Sequence, residues 1–208
     1  MNDRRDLQAL SRQTRDVYER NAARFDAERG KHLYEKIWLD RFAALLPPKA
    51  SVLDVGCGSG DPIAKYLTSL GFAVTGIDAA QAMIDLARLK FPEGVWLQAD
   101  MRELDLGQQF DGVIGWNSFF HLTQTEQRGV LPRLAGHLAP GGTLMLTVGP
   151  EAGEVSGHVG DDRVYHASLA PEDYEAILIE NGLTLVDFVP EDPDCDFQTV
   201  LLAAQRDR

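Results

Sequence analysis

Three glycines follow an apolar run in the segment VLDVGCGSGDP, at residues 52–62. Gly56, Gly58 and Gly60 lack a Cβ atom, so the backbone N–H groups of this turn can approach a ligand closely. A dinucleotide-binding turn has the pattern G-x-G-x-x-G, but the residue three after Gly58 is Asp61. The segment therefore predicts a ligand-binding turn that departs from the one that binds a pyrophosphate.

Carboxylates near this turn indicate the charge of its ligand. Asp54 ends the apolar run, and Asp61 followed by Pro62 fits the start of a helix, with Asp61 as the N-cap. These negative charges oppose a phosphate, which a helix N-terminus would otherwise attract. A ligand with a cationic amino-acid head and no phosphate is favoured, and S-adenosylmethionine meets that description.

Two more acidic residues follow apolar runs further along the chain. Asp78 comes twenty residues after Gly58, at the place where a carboxylate accepts hydrogen bonds from ribose hydroxyls in related α/β folds. Asp100 follows the next run, with Met101 beside it. Because ligands of open α/β folds bind at the carboxyl edge of the sheet, we expect these residues to line one site.

Short apolar runs alternate with helical patterns and must position those residues. They predict strands at 51–55, 72–77, 94–99, 110–116 and 143–149, and helices at about 61–70, 79–90 and 123–138. Such alternation predicts an α/β fold with a doubly wound, mostly parallel sheet. Residues 150–168 are Gly-rich and read as strand-poor. A helix from Ser168 or Pro171 to 180–182 and an antiparallel strand pair at 183–189 and 197–205 follow.

Composition limits the class of protein. With 208 residues, 44% of them hydrophobic, the chain suits a single domain. A net charge of −12 opposes nucleic acid and anionic membranes as partners. The two cysteines fit neither a disulfide framework nor a zinc site. The charged N-terminal segment lacks the apolar core typical of a signal peptide, and no apolar run is long enough to span a bilayer. We expect a cytoplasmic protein without a metal.

Five motifs in order cover roughly residues 50–148: VLDVGCGSGD, GIDAAQAMIDLAR, QADMREL, FDGVIGWNSFFHL and LAPGGTLMLTV. In them the sequence resembles the class I S-adenosylmethionine-dependent methyltransferases, most of all the bacterial small-molecule type. The resemblance implies a Rossmann-like, seven-stranded sheet whose antiparallel last strand lies next to the fifth. It also implies methyl transfer to a small-molecule acceptor with release of S-adenosylhomocysteine. The oligomeric state stays open between a monomer and a homodimer.

The resemblance divides the single domain, residues 1–208, into four parts. Residues 1–48 would form a helical lid, 49–149 the cofactor-binding core, 150–168 an insertion or second lid, and 169–208 a C-terminal helix and strand pair.

The resemblance also assigns roles around the cofactor. Asp54 and the glycine turn would face the methionyl part, Asp78 the ribose, and Ala79 and Met83 the adenine. The full set of expected cofactor-binding residues is Asp54, Gly56, Gly58, Gly60, Asp78, Ala79, Met83, Asp100, Met101, Trp116, Asn117 and Tyr18.

The substrate side carries no motif, so its residues are predicted from their place in the chain. The acceptor is expected to contact Ser118, Phe119, Phe25, Arg163 and Tyr165. Phe120 and Leu122 are expected in the core. His121 and His166 are candidates for a general base, which methyl transfer needs only if the acceptor must lose a proton. For both histidines a structural imidazole is the alternative.

Two other functions stay open. A nicotinamide-dependent oxidoreductase shares the β-α-β pattern, but the missing third glycine and Asp61 count against it. A non-catalytic S-adenosylmethionine-binding regulatory protein is possible because no motif marks the acceptor site.

Overall fold

The computed structural model describes residues 2–30 and 32–205. The helices within these ranges are α1 (Asn2–Ser11), α2 (Thr14–Glu28), α3 (Lys36–Ala44), α4 (Ile63–Ser69), α5 (Gln81–Lys90), α6 (Gln124–Gly136) and α7 (Pro171–Glu180). The strands are β1 (Ser51–Val55), β2 (Ala73–Asp78), β3 (Val95–Gln98), β4 (Phe110–Gly115), β5 (Leu138–Val148), β6 (Gly153–Val159), β7 (Asp162–Ser168), β8 (Leu183–Asp192) and β9 (Gln198–Gln205).

Seven strands form one sheet in the order β3-β2-β1-β4-β5-β9-β8. Strands β1 to β5 pair in parallel, and β9 runs antiparallel between β5 and β8. The predicted doubly wound, mostly parallel sheet is therefore confirmed, as is the antiparallel last strand beside the fifth. The predicted hairpin of β8 and β9 is confirmed as well.

Successive residues of the central strands enter opposite cores, which is why these strands read as continuous apolar runs. In β1, Leu53 packs with the side chains of α6 and α7, whereas Val52 packs with those of α3 and α4. In β4, Val113 and Ile114 divide in the same way. The helices thus cover both faces of the sheet and leave its carboxyl edge for a site.

Residues 150–168 depart from the sequence-based expectation, because β6 and β7 form a separate antiparallel hairpin there. The glycines that suggested a loop have structural roles within it. Gly160 adopts a positive φ of 59° at the turn. A Cβ atom at Gly157 would lie 2.4 Å from the His166 ring, so this glycine makes room for the imidazole.

Helix α2 joins the hairpin to the main sheet. On one side Ala22 packs with Ala80 and Met83, and on another side Val17 packs with Val159 and Val164. No helix of the described ranges is both long and apolar enough to cross a membrane.

Candidate active site

A first cavity lies at the carboxyl ends of β1, β2 and β4, beneath α2. The glycine turn, the ends of these strands, and residues of α1 and α2 form its walls. The residues lining it that the sequence had singled out are Tyr18, Phe25, Asp54, Gly56, Gly58, Asp61, Pro62, Asp78, Ala79, Met83, Asp100, Met101, Trp116, Asn117, Ser118, His121 and Leu122.

The glycines of the turn have different roles. Gly58 has a φ of +54°, lines the cavity, and a Cβ atom there would meet no described atom within 4 Å. Gly56 lets Ser118 approach, since a Cβ atom would lie 2.3 Å from the Ser118 Cβ. Gly60 does not line the cavity, and its missing Cβ makes room for the Trp96 ring. The cavity lining therefore does not support the expected cofactor contact of Gly60.

Asp78 fixes the turn to the end of β2. Its Oδ2 accepts a hydrogen bond from the Gly58 N–H at 3.0 Å, and its Oδ1 accepts one from the Ala80 N–H at 2.8 Å. Burial raises the pKa of Asp78 to about 6, although the N–H donors oppose that rise.

Asp54 is the buried acid of the site. Its side chain is 2% exposed, and its Oδ2 has no hydrogen-bond partner. Burial and the nearby charge of Asp78 raise its pKa to about 7, and Arg29 partly opposes this. An unpartnered buried carboxylate is costly, so this oxygen indicates a missing cationic or donor group.

Asp61 differs from its expected role. Helix α4 begins at Ile63 with Pro62 at the N-cap position, so the predicted Asp61 N-cap is wrong. Its carboxylate lies instead 3.6 Å from the Lys65 ammonium and 3.9 Å from that of Lys90. Asp61 lines the cavity with much of its charge balanced, whereas Asp54 has no such partner.

Helix α2 is tied to the glycine turn by contacts that the motifs did not reveal. Asp26 accepts a hydrogen bond from the Ser59 hydroxyl at 2.6 Å and pairs with Lys90. Glu19 accepts one from the Ala82 N–H at 3.2 Å. Glu19 and Asp26 are two turns apart on one face of the helix, and this spacing was the available signal.

The end of β3 carries an ion pair that also lines the cavity. Arg102 donates hydrogen bonds to Asp100, with Nη2 2.6 Å from Oδ2, and its Nη1 lies 3.0 Å from Glu126. Burial opposes ionisation of Asp100, but the Arg102 hydrogen bonds outweigh it and hold the Asp100 pKa below its usual value. Arg102 is a lining residue that sequence reasoning did not identify.

His121 has both ring nitrogens occupied. Its Nδ1 lies 2.9 Å from the Tyr165 carbonyl oxygen, and its Nε2 lies 2.9 Å from the Tyr18 hydroxyl. Because a carbonyl only accepts, Nδ1 carries the proton and Nε2 accepts from Tyr18. Burial lowers the pKa of His121 to about 4, so the ring is neutral at pH 7.

A second cavity of about 350 Å³ adjoins the first. Both are lined by Tyr18, Phe25, Arg29, Trp116, Asn117 and His121. The remaining walls come from the loop before α3, from the β6–β7 hairpin and from the segment before β9. Residues lining only the second cavity are Gly30, His32, Tyr34, Glu35, Phe120, His158, Val159, Val164, His166, Cys195, Asp196 and Gln198.

Asn117 lies at the junction of the two cavities in a left-handed conformation, with φ 53°. Its N–H donates to the Thr147 hydroxyl at 2.7 Å, which helps to hold that backbone. Ser118 lines only the first cavity, and its hydroxyl donates to the Val55 carbonyl at 2.6 Å. The expected acceptor contact of Ser118 is therefore not supported.

Two neighbouring phenylalanines exchange their expected places. Phe119 is fully buried in the core, whereas Phe120 lines the second cavity with its ring centroid 4.6 Å from that of His166. Residues Phe119–His121 form a 3₁₀ turn, in which successive side chains point about 120° apart. The buried position of Phe119 therefore does not support an acceptor contact, and Phe120 is not the core residue that was expected.

Strand alternation also determines which side chains of β7 face the second cavity. Val164 and His166 face the second cavity, so Arg163 and Tyr165 point elsewhere and line neither cavity. The Arg163 guanidinium lies 3.1 Å from the Ser156 hydroxyl, and the buried Tyr165 donates its hydroxyl to Glu154. The cavity linings therefore do not support the expected acceptor contacts of Arg163 and Tyr165. No cluster of three or more potential metal ligands occurs among the residues described.

Comparison with known sequences finds a family match in the central segment of the chain. Residues 52–142 match the protein family described as a methyltransferase domain. Over 102 residues the chain is 32% identical to dTDP-3-amino-3,4,6-trideoxy-alpha-D-glucopyranose N,N-dimethyltransferase of Streptomyces venezuelae, covering 48% of this chain and 43% of that enzyme. It is 38% identical to glycine N-methyltransferase of Rattus norvegicus over 116 residues, covering 46% and 39%. The chain thus spans less than half the length of these curated relatives.

Solved structures extend the likeness to most of the chain. S-adenosylmethionine-bound CalS10, an amino pentose methyltransferase from Micromonospora echinaspora, superposes with a TM-score of 0.69 at 24% identity, covering 89% of this chain and 96% of that one. The CcbJ methyltransferase from Streptomyces caelestis gives 0.72 at 20% identity, covering 92% and 98%. At these identities the superpositions show a shared fold. Residues 52–142 therefore resemble a methyltransferase domain, and the chain has the Rossmann-like fold of these methyltransferases.

Proposed function

We propose that this protein is an S-adenosylmethionine-dependent methyltransferase with a small-molecule acceptor. The observation that carries the proposal is the buried Asp54 Oδ2, which has no partner beside a glycine turn that is open to the first cavity. The similarity to a sugar N,N-dimethyltransferase and to glycine N-methyltransferase supports the same reaction class.

The residues of the first cavity fit this cofactor. Asp54 would pair with the ammonium of the methionyl part, because a cation relieves a buried unpaired carboxylate. Gly58 would let the backbone approach the ligand, since no side chain occupies its open side. Asp78 would accept hydrogen bonds from ribose hydroxyls, and Met83 and Met101 offer apolar walls for the adenine. The bound cofactor supplies a methyl group on a positively charged sulfur.

The residues of this chain would position the two reactants and exclude water from the junction of the cavities. Helix α2 and the hairpin cover the junction of the cavities, where the Tyr18 hydroxyl is held by the neutral His121 ring. An acceptor in the second cavity would meet the first cavity at this junction. Holding the reactants in line supplies a large part of the rate enhancement in such displacements. His121, with both nitrogens occupied, is a positioning residue, and His166 is the imidazole that faces the acceptor space.

The adjoining second cavity favours an enzyme over a non-catalytic binding protein, because binding the cofactor alone needs no such space. Calorimetry with S-adenosylmethionine and S-adenosylhomocysteine tests the first step, and release of S-adenosylhomocysteine from a panel of small acceptors tests turnover. Binding without turnover for any acceptor would favour a regulatory protein. Tight NAD binding without S-adenosylmethionine binding would favour an oxidoreductase and overturn the proposal.

A further inference from the structure

We propose that the acceptor is an uncharged aromatic ring system bearing a hydroxyl or amino group, bound in the second cavity. The inference rests on the proposed methyl transfer, because it takes this cavity as the acceptor site. Three properties of the cavity carry it: the rings in its walls, the pairing of its one described cation with a carboxylate, and the neutral hydrogen-bonding groups that face it.

Rings dominate the walls of the second cavity. Five aromatic residues line it, together with four of the five histidines of the chain. These rings are Tyr18, Phe25, Tyr34, Trp116, Phe120, His32, His121, His158 and His166. Their contacts already form a network, with centroids 4.6 Å apart for Phe120 and His166 and 4.9 Å apart for His121 and His166. Offset and edge contacts at such distances favour another planar ring over a saturated one.

The charges of the cavity are unsuited to an anionic acceptor. Arg29 is the cation among its described lining residues, and its Nη2 lies 2.8 Å from Glu35, whose side chain is 5% exposed. Taking Arg29 away from this carboxylate would leave a buried unpaired charge, which is strongly destabilising. Asp196 adds negative charge to the wall. A phosphate or carboxylate in the cavity would therefore lack an uncommitted cation.

Three other polar side chains that line the second cavity are neutral: His166, Asn117 and Gln198. Burial lowers the pKa of His166, so its ring is uncharged at pH 7 and can donate or accept one hydrogen bond at each nitrogen. The side-chain amides of Asn117 and Gln198 offer further neutral donors and acceptors. Such groups match a hydroxyl or an amine on the ring, which is also the group that would receive a methyl.

Three related probes separate ring character from charge: 2-naphthol, decahydro-2-naphthol and 2-naphthyl phosphate. Each is titrated by calorimetry into the protein saturated with S-adenosylhomocysteine. We expect 2-naphthol to bind about ten-fold more tightly than either of the others. Equal or tighter binding of the saturated or the phosphorylated probe would overturn the inference, as would failure of 2-naphthol to bind. Failure of S-adenosylhomocysteine itself to bind would instead overturn the proposed function, and the inference with it.

A pair of variants locates the binding. Phe120 lines the second cavity and not the first, so Phe120→Leu should weaken 2-naphthol binding about three- to ten-fold while S-adenosylhomocysteine affinity stays within about two-fold. Phe197 is 69% exposed and lines neither cavity, so Phe197→Leu is the matched control and should change neither affinity. Retained S-adenosylhomocysteine binding shows that each variant is folded. Unchanged 2-naphthol binding by Phe120→Leu would refute the assigned cavity.

Discussion

Asp54 and Asp61 are two carboxylates of one cavity with opposite electrostatic situations. Asp54 has an oxygen without a partner, whereas Asp61 lies near two lysines. A ligand cation should therefore interact far more with Asp54. The difference could not be foreseen from the sequence, where both residues simply flank the glycines, because it depends on where Lys65 and Lys90 are brought by α4 and α5.

The first prediction compares these two residues. Asp54→Asn should weaken S-adenosylmethionine binding about ten- to a hundred-fold, because a charge-assisted hydrogen bond is lost. Asp61→Asn should change it less than about three-fold. Calorimetry with both variants measures the difference. Equal affinities for Asp54→Asn and the parent protein would remove the proposed ammonium site.

The second prediction concerns the protonation of His121. Its ring should remain neutral from pH 8 down to about pH 5, because burial lowers its pKa to about 4 and Nε2 already accepts from Tyr18. Histidine-labelled protein followed by NMR over this pH range would show it. Tyr18→Phe should raise the pKa, since the lost hydrogen bond stabilised the neutral ring. A His121 titration near pH 6.5 in the parent protein would contradict this geometry.

At the scale of elements, local sequence patterns allowed the strands to be predicted, but they did not reveal the long-range contacts. The parallel strands were predictable because burial on both faces makes them continuous apolar runs. The hairpin was missed because Gly157 and Gly160 resemble loop residues, although one makes room for His166 and the other forms the turn. The contact of Tyr18 with His121 joins residues 103 apart in the chain, and no local pattern encodes such a pairing.

The third prediction tests the glycine turn against a matched glycine. Gly58 and Gly71 both have positive φ, and a Cβ atom at either would meet no described atom within 4 Å. Gly58→Ala and Gly71→Ala should therefore lose similar stability, about 1–2 kcal/mol, because alanine disfavours this conformation. Only Gly58 lines the first cavity, so only its variant should lose cofactor affinity. Thermal unfolding and calorimetry separate the effects, and equal affinity losses would place the turn outside the binding site.

The contact between α2 and the hairpin gives the fourth prediction. Arg20 lies 2.8 Å from Asp162, the Asn21 amide donates to Asp162 at 2.7 Å, and Arg24 lies 2.8 Å from Asp161. These exposed contacts contribute little stability, but they hold the helix that carries Tyr18. Asp162→Asn should increase the dissociation rate of S-adenosylhomocysteine about three-fold or more, because α2 would open more readily.

The control for this helix is an exposed ion pair elsewhere. Asp187 pairs with Arg41 between β8 and α3, away from α2. Asp187→Asn should leave the dissociation rate unchanged in stopped-flow displacement experiments, with both variants changing stability by less than about 1 kcal/mol. Equal rates for Asp162→Asn and the parent would mean that α2 does not control release.

At the scale of the whole molecule, the chain has a net charge of −12, and two carboxyls of its first cavity have raised pKa values. Burial raises the pKa of both residues. With the added repulsion from Asp78, the pKa of Asp54 reaches about 7, and that of Asp78 is about 6. Without a ligand, each therefore carries a proton over part of the range in which an exposed carboxyl is ionised. A cationic ligand binds best to the ionised form, so binding should expel these protons.

The last prediction follows from this linkage. A carboxyl with a raised pKa is protonated as the pH falls through that value, so affinity for S-adenosylmethionine should fall between pH 7 and 5.5. Because the pKa of Asp54 is about 7, protonation over this pH range reduces the fraction of protein with an ionised Asp54 about ten-fold. Protonation of Asp78 adds a smaller factor. The ligand's own amino group stays charged below pH 7 and cannot produce this trend.

Asp54→Asn should bind more weakly at pH 7 but lose about ten-fold less affinity on acidification. Calorimetry in buffers of different ionisation enthalpy would also detect the released proton. Parallel pH profiles for parent and variant would show that Asp54 is ionised before the ligand arrives, and its unpartnered oxygen would then need another explanation.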